Sequence, residues 1–167
     1  MFLHGSWMHL IGNMWFLWIF GNNVEDSMGR LRFVVFYLLT GLIAIGTQIL
    51  LDPGSPVPTV GASGAIAGIM GAYIVLYPKA RVSTLFFFFI FIRIIPLPAW
   101  VILGYWFLIQ LFSQTSGAGG GVAYAAHIGG FVSGVLLIRV FANWRLVRAK
   151  RAHIALDPRD LRRGGWW

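Results

Sequence analysis

The sequence predicts an all-α fold, a polytopic membrane bundle with five transmembrane helices. The prediction rests on the composition, the apolar runs and the placement of the basic residues. Hydrophobic residues make up 58% of the 167 residues and charged residues only 11%, whereas a soluble domain has about 45–50% apolar and about 25% charged residues. This chain has more apolar surface than one water-soluble core buries, which argues against a soluble enzyme and against a disordered chain.

Five apolar runs approach the roughly 20 residues that a helix needs to cross a bilayer. The long apolar stretch 85–112 needs a division, because Arg93 and two prolines interrupt it. We assign 85–92, which is too short to cross, to an interfacial or half-inserted segment and the later part of the stretch to a span. The predicted spans are 7–20, 33–51, 62–77, 98–111 and 122–141.

The basic residues predict how these spans are oriented. All 13 Lys and Arg fall in the connections 22–32 and 78–93 and in the tail that starts at Arg139, which five spans place on one side of the membrane. Because cytoplasmic loops collect positive charge, this predicts an outside N-terminus and a cytoplasmic C-terminus. It also argues against a nucleic-acid partner, since the basic cluster 145–151 is placed to bind anionic lipid.

Four polar residues of the predicted spans share one side of the membrane and a similar shallow depth. They are His9 and Asn13 in the first span, Ser63 at the start of the third and His127 in the last. Polar groups are costly in lipid and mark functional sites. Serine with histidine predicts nucleophilic catalysis, in which the imidazole takes the hydroxyl proton and returns it to the leaving amine. Asp52 is the one acidic residue on that side, and we favour a Ser–His dyad over a triad.

The first span supplies predicted donors for an oxyanion. His9 and Asn13 are four residues apart, about 40° on a helical wheel, so they point the same way. With the Ser63 N–H, at the positive end of its helix, they form the predicted oxyanion site. His4 is assigned to the outer loop or the rim of the site. A metal site on His4, His9 and Asn13 is the alternative, but the histidine spacing is unfavourable, and no acidic or thiolate ligand other than the loop residue Asp52 lies on their side. We expect neither metal nor cofactor.

Together these residues resemble the rhomboid family of intramembrane serine proteases. The separate motifs are short, but they occur in the family's order and on the expected spans. The resemblance covers nearly everything from His4 to about Leu137. The motifs are His4-x4-His9-x3-Asn13, Gly61-Ala62-Ser63-Gly64, Leu97-Pro98-Ala99-Trp100, and Ala126-His127-x2-Gly130-x3-Gly134.

The resemblance implies an intramembrane serine endopeptidase that cleaves transmembrane segments of other proteins. Those segments and the membrane lipids would be its partners. Ser63 would be the nucleophile and His127 the general base, and His9 and Asn13 would bind the oxyanion. The loop 113–124 would form a flexible cap and the span 98–111 a lateral gate. We further expect a bacterial plasma membrane, with the active site open to the extracytoplasmic side.

The rhomboid core has six spans, and a helix is expected before His4. The predicted domains are therefore a rhomboid-like transmembrane domain lacking its first helix, 1–142, and a basic cytoplasmic tail, 143–167. An alternative function is an inactive or truncated rhomboid-like protein that binds membrane clients without cleaving them. A small channel or carrier is a more distant alternative, because the inner half of the spans offers no charged relay.

Overall fold

The computed structural model describes residues 1–54, 60–88, 91–116 and 122–152, and these residues are mostly helical. Part of the predicted cap loop, 117–121, and most of the predicted tail, 153–167, lie outside the described residues. In chain order the elements are α1 (Trp7–Phe16), a π-helical segment (Leu17–Gly21), α2 (Asn22–Met28), α3 (Arg30–Leu51), α4 (Ser63–Leu76), β1 (Arg81–Phe88), β2 (Phe91–Pro98), α5 (Ala99–Thr115), α6 (Tyr124–Phe141) and α7 (Trp144–Arg151).

Helix α4 lies at the centre, with 10 of its 14 residues buried, and it packs against α6 backbone to backbone. A Cβ at Gly130 would collide with the carbonyl oxygen of Gly64, and one at Gly134 with that of Gly68. Small residues allow such close approach, and dispersion contacts then hold the helices together in lipid. We call the contact of Gly64, Gly68 and Gly71 in α4 with Gly130 and Gly134 in α6 the glycine seam.

Helix α3 packs across both partners of the glycine seam through two threonines. Thr40 lies directly against Gly68 of α4, and Thr47 lies against Gly129 of α6. The Thr40 hydroxyl donates to the Phe36 carbonyl at 2.9 Å, and the Thr47 hydroxyl donates to a carbonyl of its own helix. Both hydroxyls are satisfied within α3, and the Cβ, Oγ1 and Cγ2 atoms of each threonine lie against its glycine.

Helix α5 contacts α6 through side chains instead of backbone. The Phe107 and Phe131 rings stack with their centroids 4.6 Å apart, and Trp106 lies 6.0 Å from the Phe131 ring. The other face of α5 is open, with Leu108 63% exposed and Phe112 73% exposed. A helix with so much exposed apolar surface fits contact with lipid better than contact with water.

The region before α5 corrects the all-α prediction. Strands β1 and β2 form an antiparallel hairpin whose register runs from Arg81 opposite Pro98 to Phe88 opposite Phe91. The two strands include residues 85–88 and 91–92 of the stretch predicted to be interfacial or half-inserted, and residues 89–90 lie outside the described residues. Aromatic and β-branched residues favour strands as well as lipid, and an apolar run alone does not separate a strand from a helix.

Two helices of the described chain, α3 and α6, are long and apolar enough to cross a membrane, with peak mean hydropathies of 2.1 and 1.5. Helix α4 is apolar but has only 14 residues. Helices occupy all five predicted spans. That all five cross a membrane stays a prediction, because length and composition support only two of them.

Helix α7 folds back onto the end of α4. Val147 is fully buried, and the Arg151 guanidinium donates to the carbonyl oxygens of Leu76 at 2.6 Å and Val75 at 2.8 Å. Nearby, Lys150 pairs with Asp26 at 2.7 Å. The last carbonyls of a helix lack intrahelical donors, so Arg151 satisfies groups that the fold leaves open.

Candidate active site

Ser63 is the first residue of α4 and is half-buried. The chain enters the helix through Gly61, whose φ of 109° is a conformation that L side chains rarely adopt. The first helical bond joins Ile66 N–H to the Ala62 carbonyl at 3.0 Å, and no side chain among the described residues caps this helix end. The earlier N–H groups therefore lack helical acceptors, and the Ser63 hydroxyl lies beside unsatisfied donors at a positive helix end.

His127 lies in the first turn of α6 and is held by α5. Its Nδ1 is 2.9 Å from Gln110 Oε1. Its ring is 5.8 Å from the Trp106 ring and 6.3 Å, edge to face, from the Tyr124 ring. The imidazole is thus fixed by one hydrogen bond and two aromatic neighbours.

The glycine seam brings the start of α4 to the start of α6. A Cβ at Gly64, the residue after Ser63, would lie 3.8 Å from the Ala126 Cβ, the residue before His127. Ser63 and His127 both line one cavity of about 760 Å³. Within the described residues, no hydrogen bond joins the Ser63 hydroxyl to His127, whose bond goes to Gln110 instead.

His9 and Asn13 line the same cavity from α1. The Ser6 side chain caps α1 by accepting the His9 N–H at 3.1 Å. Asn13 is buried and donates one amide hydrogen to the His9 carbonyl at 3.0 Å, which leaves its second N–H for another acceptor. A Cβ on Gly61 would lie 2.7 Å from the His9 ring and 3.6 Å from Asn13 Nδ2. Both side chains therefore touch the turn that precedes Ser63.

His4 packs beside the site. Its ring is 5.2 Å from the His9 ring at an interplanar angle of 76°. Its Nε2 is buried and unpartnered among the described residues. No group of three or more His, Asp or Glu side chains in the described part of the chain is placed to hold a metal ion.

Gln110 is a neighbour of His127 that was not predicted from the sequence. The sequence offered one carboxylate as a possible third member, Asp52, and Asp52 lines the cavity. The group that meets the His127 Nδ1 is instead a neutral amide, 94% buried. The sequence does contain a signal for Gln110. It is a polar residue near the outer end of the fourth predicted span, at the same predicted depth as the four polar site residues.

The cavity lies between α1 and α5 as well as above the glycine seam. Met8 and Phe16 line it from α1, and Trp106 and Gln114 line it from α5. It therefore combines apolar walls with a floor that carries a serine, two histidines and an amide. Apolar walls with a few convergent polar groups are typical of a ligand-binding cavity.

Comparison with known proteins identifies similar chains. Residues 1–144 match the family described as Rhomboid domain. Rhomboid protein 1, mitochondrial, of Saccharomyces cerevisiae is 31% identical over 173 residues, covering 99% of this chain and 45% of the yeast protein. Rhomboid-like protein 11, chloroplastic, of Arabidopsis thaliana is 43% identical over 68 residues, covering 41% of this chain and 24% of that protein.

A human relative is similar over a shorter stretch than the yeast one. Presenilin-associated rhomboid-like protein, mitochondrial, of Homo sapiens is 31% identical over 87 residues, covering 51% of this chain and 23% of the human protein. The chain spans less than half the length of these relatives.

These relatives overturn the predicted location. Their names place them in mitochondria or chloroplasts, so the prediction of a bacterial plasma membrane, with an extracytoplasmic site and a cytoplasmic C-terminus, is wrong. The error has a physical reason. Basic residues orient the helices relative to the two sides of a membrane, but they do not identify which membrane it is.

Proposed function

The chain belongs to the rhomboid family, as its motifs predict, and from this premise we propose that it is an intramembrane serine endopeptidase with a Ser63–His127 dyad. One observation carries the proposal. Two helices deliver Ser63 and His127 to one cavity, and a third delivers His9 and Asn13 to the same cavity. The substrates are transmembrane segments of other membrane proteins.

The dyad chemistry proceeds in two halves. Ser63 Oγ attacks the scissile carbonyl carbon while His127 Nε2 takes the hydroxyl proton. The C–N bond then breaks, and the imidazolium gives that proton to the leaving amine, which leaves an acyl ester on the serine. Water attacks this ester with His127 as the base, which releases a carboxylic acid and restores the serine.

The developing oxyanion is stabilised by donors fixed before the substrate arrives. Three kinds of donor surround the turn at Gly61: the N–H groups of the first turn of α4, the second amide N–H of Asn13 and a ring N–H of His9. Preorganised donors of this kind stabilise a transition-state charge without reorganising during the reaction.

The short length of α4 sets the depth of the reaction. A helix of 14 residues is about 21 Å long, whereas the hydrocarbon core is about 30 Å thick. The charged groups Arg151, Lys150 and Asp26 gather at the C-terminal end of α4 and favour that end at an interface. In a five-span bundle Ser63 would then lie about 9 Å below the opposite interface, where the cavity admits water.

Substrates would enter sideways between α1 and α5. The walls there are apolar, with Phe16 and Trp106 lining the cavity, and α5 is attached through aromatic side chains instead of backbone contact. A transmembrane segment must uncoil to expose its carbonyl to Ser63, because a helical carbonyl is occupied by its own hydrogen bond.

We place the protein in a membrane of a mitochondrion or plastid, by analogy with the relatives whose names carry those locations. Lipids of that membrane are then its second class of partner. The exposed apolar faces of α3 and α5 support lipid contact.

A second function is a rhomboid-like protein that binds membrane clients without cleaving them. The observation that favours it is the missing hydrogen bond, because no described bond joins Ser63 to His127. In that case the cavity would hold a client segment, and the serine hydroxyl would not be activated.

A fluorophosphonate probe separates the two functions. The chain, expressed in membranes, is treated with the probe, and labelling at Ser63 is read by mass spectrometry beside cleavage of a transmembrane reporter. The endopeptidase predicts labelling and cleavage, both lost in Ser63→Ala. If the wild-type chain binds the reporter but is not labelled and yields no product, the endopeptidase proposal is wrong and client binding is favoured.

A further inference from the structure

Gln110 has a contact that the dyad chemistry leaves unexplained. It is 94% buried in α5 and makes two hydrogen bonds. Its Nε2 donates to the Trp106 carbonyl at 3.1 Å, and its Oε1 lies 2.9 Å from His127 Nδ1. A buried polar side chain in an apolar helix is costly unless its bonds serve the fold or the site.

The first bond fixes which end of the amide faces the histidine. A carbonyl oxygen only accepts hydrogen bonds, so the group that meets the Trp106 carbonyl must be the NH₂ end. The reverse orientation would place two acceptor oxygens against each other. The Oε1 atom therefore faces His127, and an oxygen of this kind only accepts.

The second bond then fixes the tautomer of the imidazole. Because Gln110 Oε1 accepts, His127 Nδ1 must carry the proton. In a neutral imidazole the other nitrogen is then the acceptor. That leaves Nε2 with the lone pair that a general base needs.

We propose that Gln110 is a positioning residue that holds His127 with the proton on Nδ1 and the lone pair on Nε2, directed to the serine chemistry. The inference rests on the proposed function and deepens it, because it names the group that orients the base. In serine hydrolases with a triad an aspartate fixes this tautomer. Here a neutral amide, which needs no counter-charge in lipid, does so.

The tautomer is measured directly by imidazole ¹⁵N NMR of the full chain in lipid nanodiscs above the histidine's titration range. We expect a protonated Nδ1 and a bare Nε2 in His127 of the wild-type chain. In Gln110→Met, which keeps the length of the side chain but loses the acceptor, the signal should become a mixture of tautomers. A wild-type His127 protonated on Nε2 overturns the proposal without any variant.

Kinetics supply the second readout. Gln110→Met should lower kcat by about 5- to 10-fold, the effect of one net hydrogen bond, with KM unchanged because Gln110 acts through His127. Gln110→Glu keeps an acceptor and should restore the Nδ1-protonated form. Its negative charge stabilises an imidazolium, so the acid limb of its pH–rate profile should move to higher pH. The limb would stay in place if residue 110 did not contact the imidazole.

Two controls separate positioning from folding. Gln48 also supports α6, since its Oε1 accepts the Ala126 N–H at 3.3 Å, and Gln48→Met should lower the melting temperature but leave the tautomer intact. Thr115→Val, at an exposed hydroxyl on α5, should change neither. A Gln110→Met chain with wild-type tautomer and kcat overturns the proposal. If the wild-type chain is not labelled by the fluorophosphonate, only the endopeptidase proposal is wrong. The role of Gln110 is still decided by the tautomer that the NMR spectrum shows.

Discussion

Two of the helices that pack against α6, α4 and α5, hold it in different ways. At the glycine seam α4 meets α6 backbone to backbone, and no atom can be added at Gly130 or Gly134. On the other side α5 meets α6 through stacked rings, above all Phe107 on Phe131. The first contact fixes Ser63 relative to the start of α6, whereas the second contact holds only as well as its side chains stay in place.

The α4–α6 and α5–α6 contacts differ in how rigid they are. Backbone contact leaves no rotamer to change, so α4 and α6 behave as one body. A contact made by aromatic rings is lost when the rings turn, at a cost of about 0.5–1.5 kcal/mol per pair. The site thus combines a closely packed pair of helices with a wall, α5, that is attached to them through aromatic side chains.

The largest expected effect comes from the groups that the glycine seam brings together. Ser63→Ala and His127→Ala should each reduce cleavage of a transmembrane reporter by at least about 1,000-fold, because the nucleophile and its base act as a unit. The double variant should be no worse than either single variant. Product from either single variant at near wild-type rate would remove the dyad.

The next effect tests the rigidity of the glycine seam. Gly130→Ala places a Cβ against the Gly64 carbonyl, and overpacking of this kind costs about 1–3 kcal/mol. Thermal unfolding in detergent should show the loss, together with loss of fluorophosphonate labelling. The matched control is Gly46→Ala in α3, where nothing lies within 4 Å, and it should be neutral or gain about 0.5–1 kcal/mol. Equal melting temperatures for the two variants would contradict the seam.

A smaller effect is expected at α5. Phe107→Ala removes the stack on Phe131 and should lower stability by about 0.5–1.5 kcal/mol for the ring pair, in addition to the loss of buried apolar area. Labelling by a bulky fluorophosphonate should become faster, because the wall opens more often. Leu108→Ala, on the exposed face of the same helix, is the control and should leave the labelling rate unchanged. Slower labelling of the Phe107 variant would show that α5 is part of the rigid body.

The smallest effect is expected at Asp52. Its carboxylate lines the cavity, but the His127 Nδ1 is already occupied by Gln110. Asp52→Asn should therefore change kcat/KM by no more than about twofold, as for substitutions outside such contacts. A collapse of kcat in this variant would mean that a carboxylate completes the site during turnover.

The predicted helix boundaries were most accurate where small and polar residues mark the ends of the helix. The third and last predicted spans, 62–77 and 122–141, differ from α4 and α6 by two residues or fewer at each end. Glycine and serine mark these boundaries because they favour turns and helix starts. The hairpin of β1 and β2 was missed because its aromatic and β-branched residues suit lipid and strand equally.

The candidate site was predictable in its composition but not in its connections. Depth along the spans grouped Ser63, His127, His9 and Asn13, and all four line one cavity. Depth also singles out Gln110 as a polar residue, but its pairing with His127 Nδ1 was not predictable, because the pairing depends on the rotation of α5 about its own axis. That rotation is set by the stack of Phe107 on Phe131, a tertiary contact that no periodicity encodes.

The Arg151 guanidinium helps to fix the position of α4, the helix that begins with Ser63. It donates hydrogen bonds to the last carbonyls of α4. The glycine seam restrains the same helix against movement along its axis. Ser63, at the other end of α4, is therefore held at a fixed position along the helix axis. Under the proposed function, a peptide carbonyl therefore has to approach Ser63, because α4 does not shift to meet it.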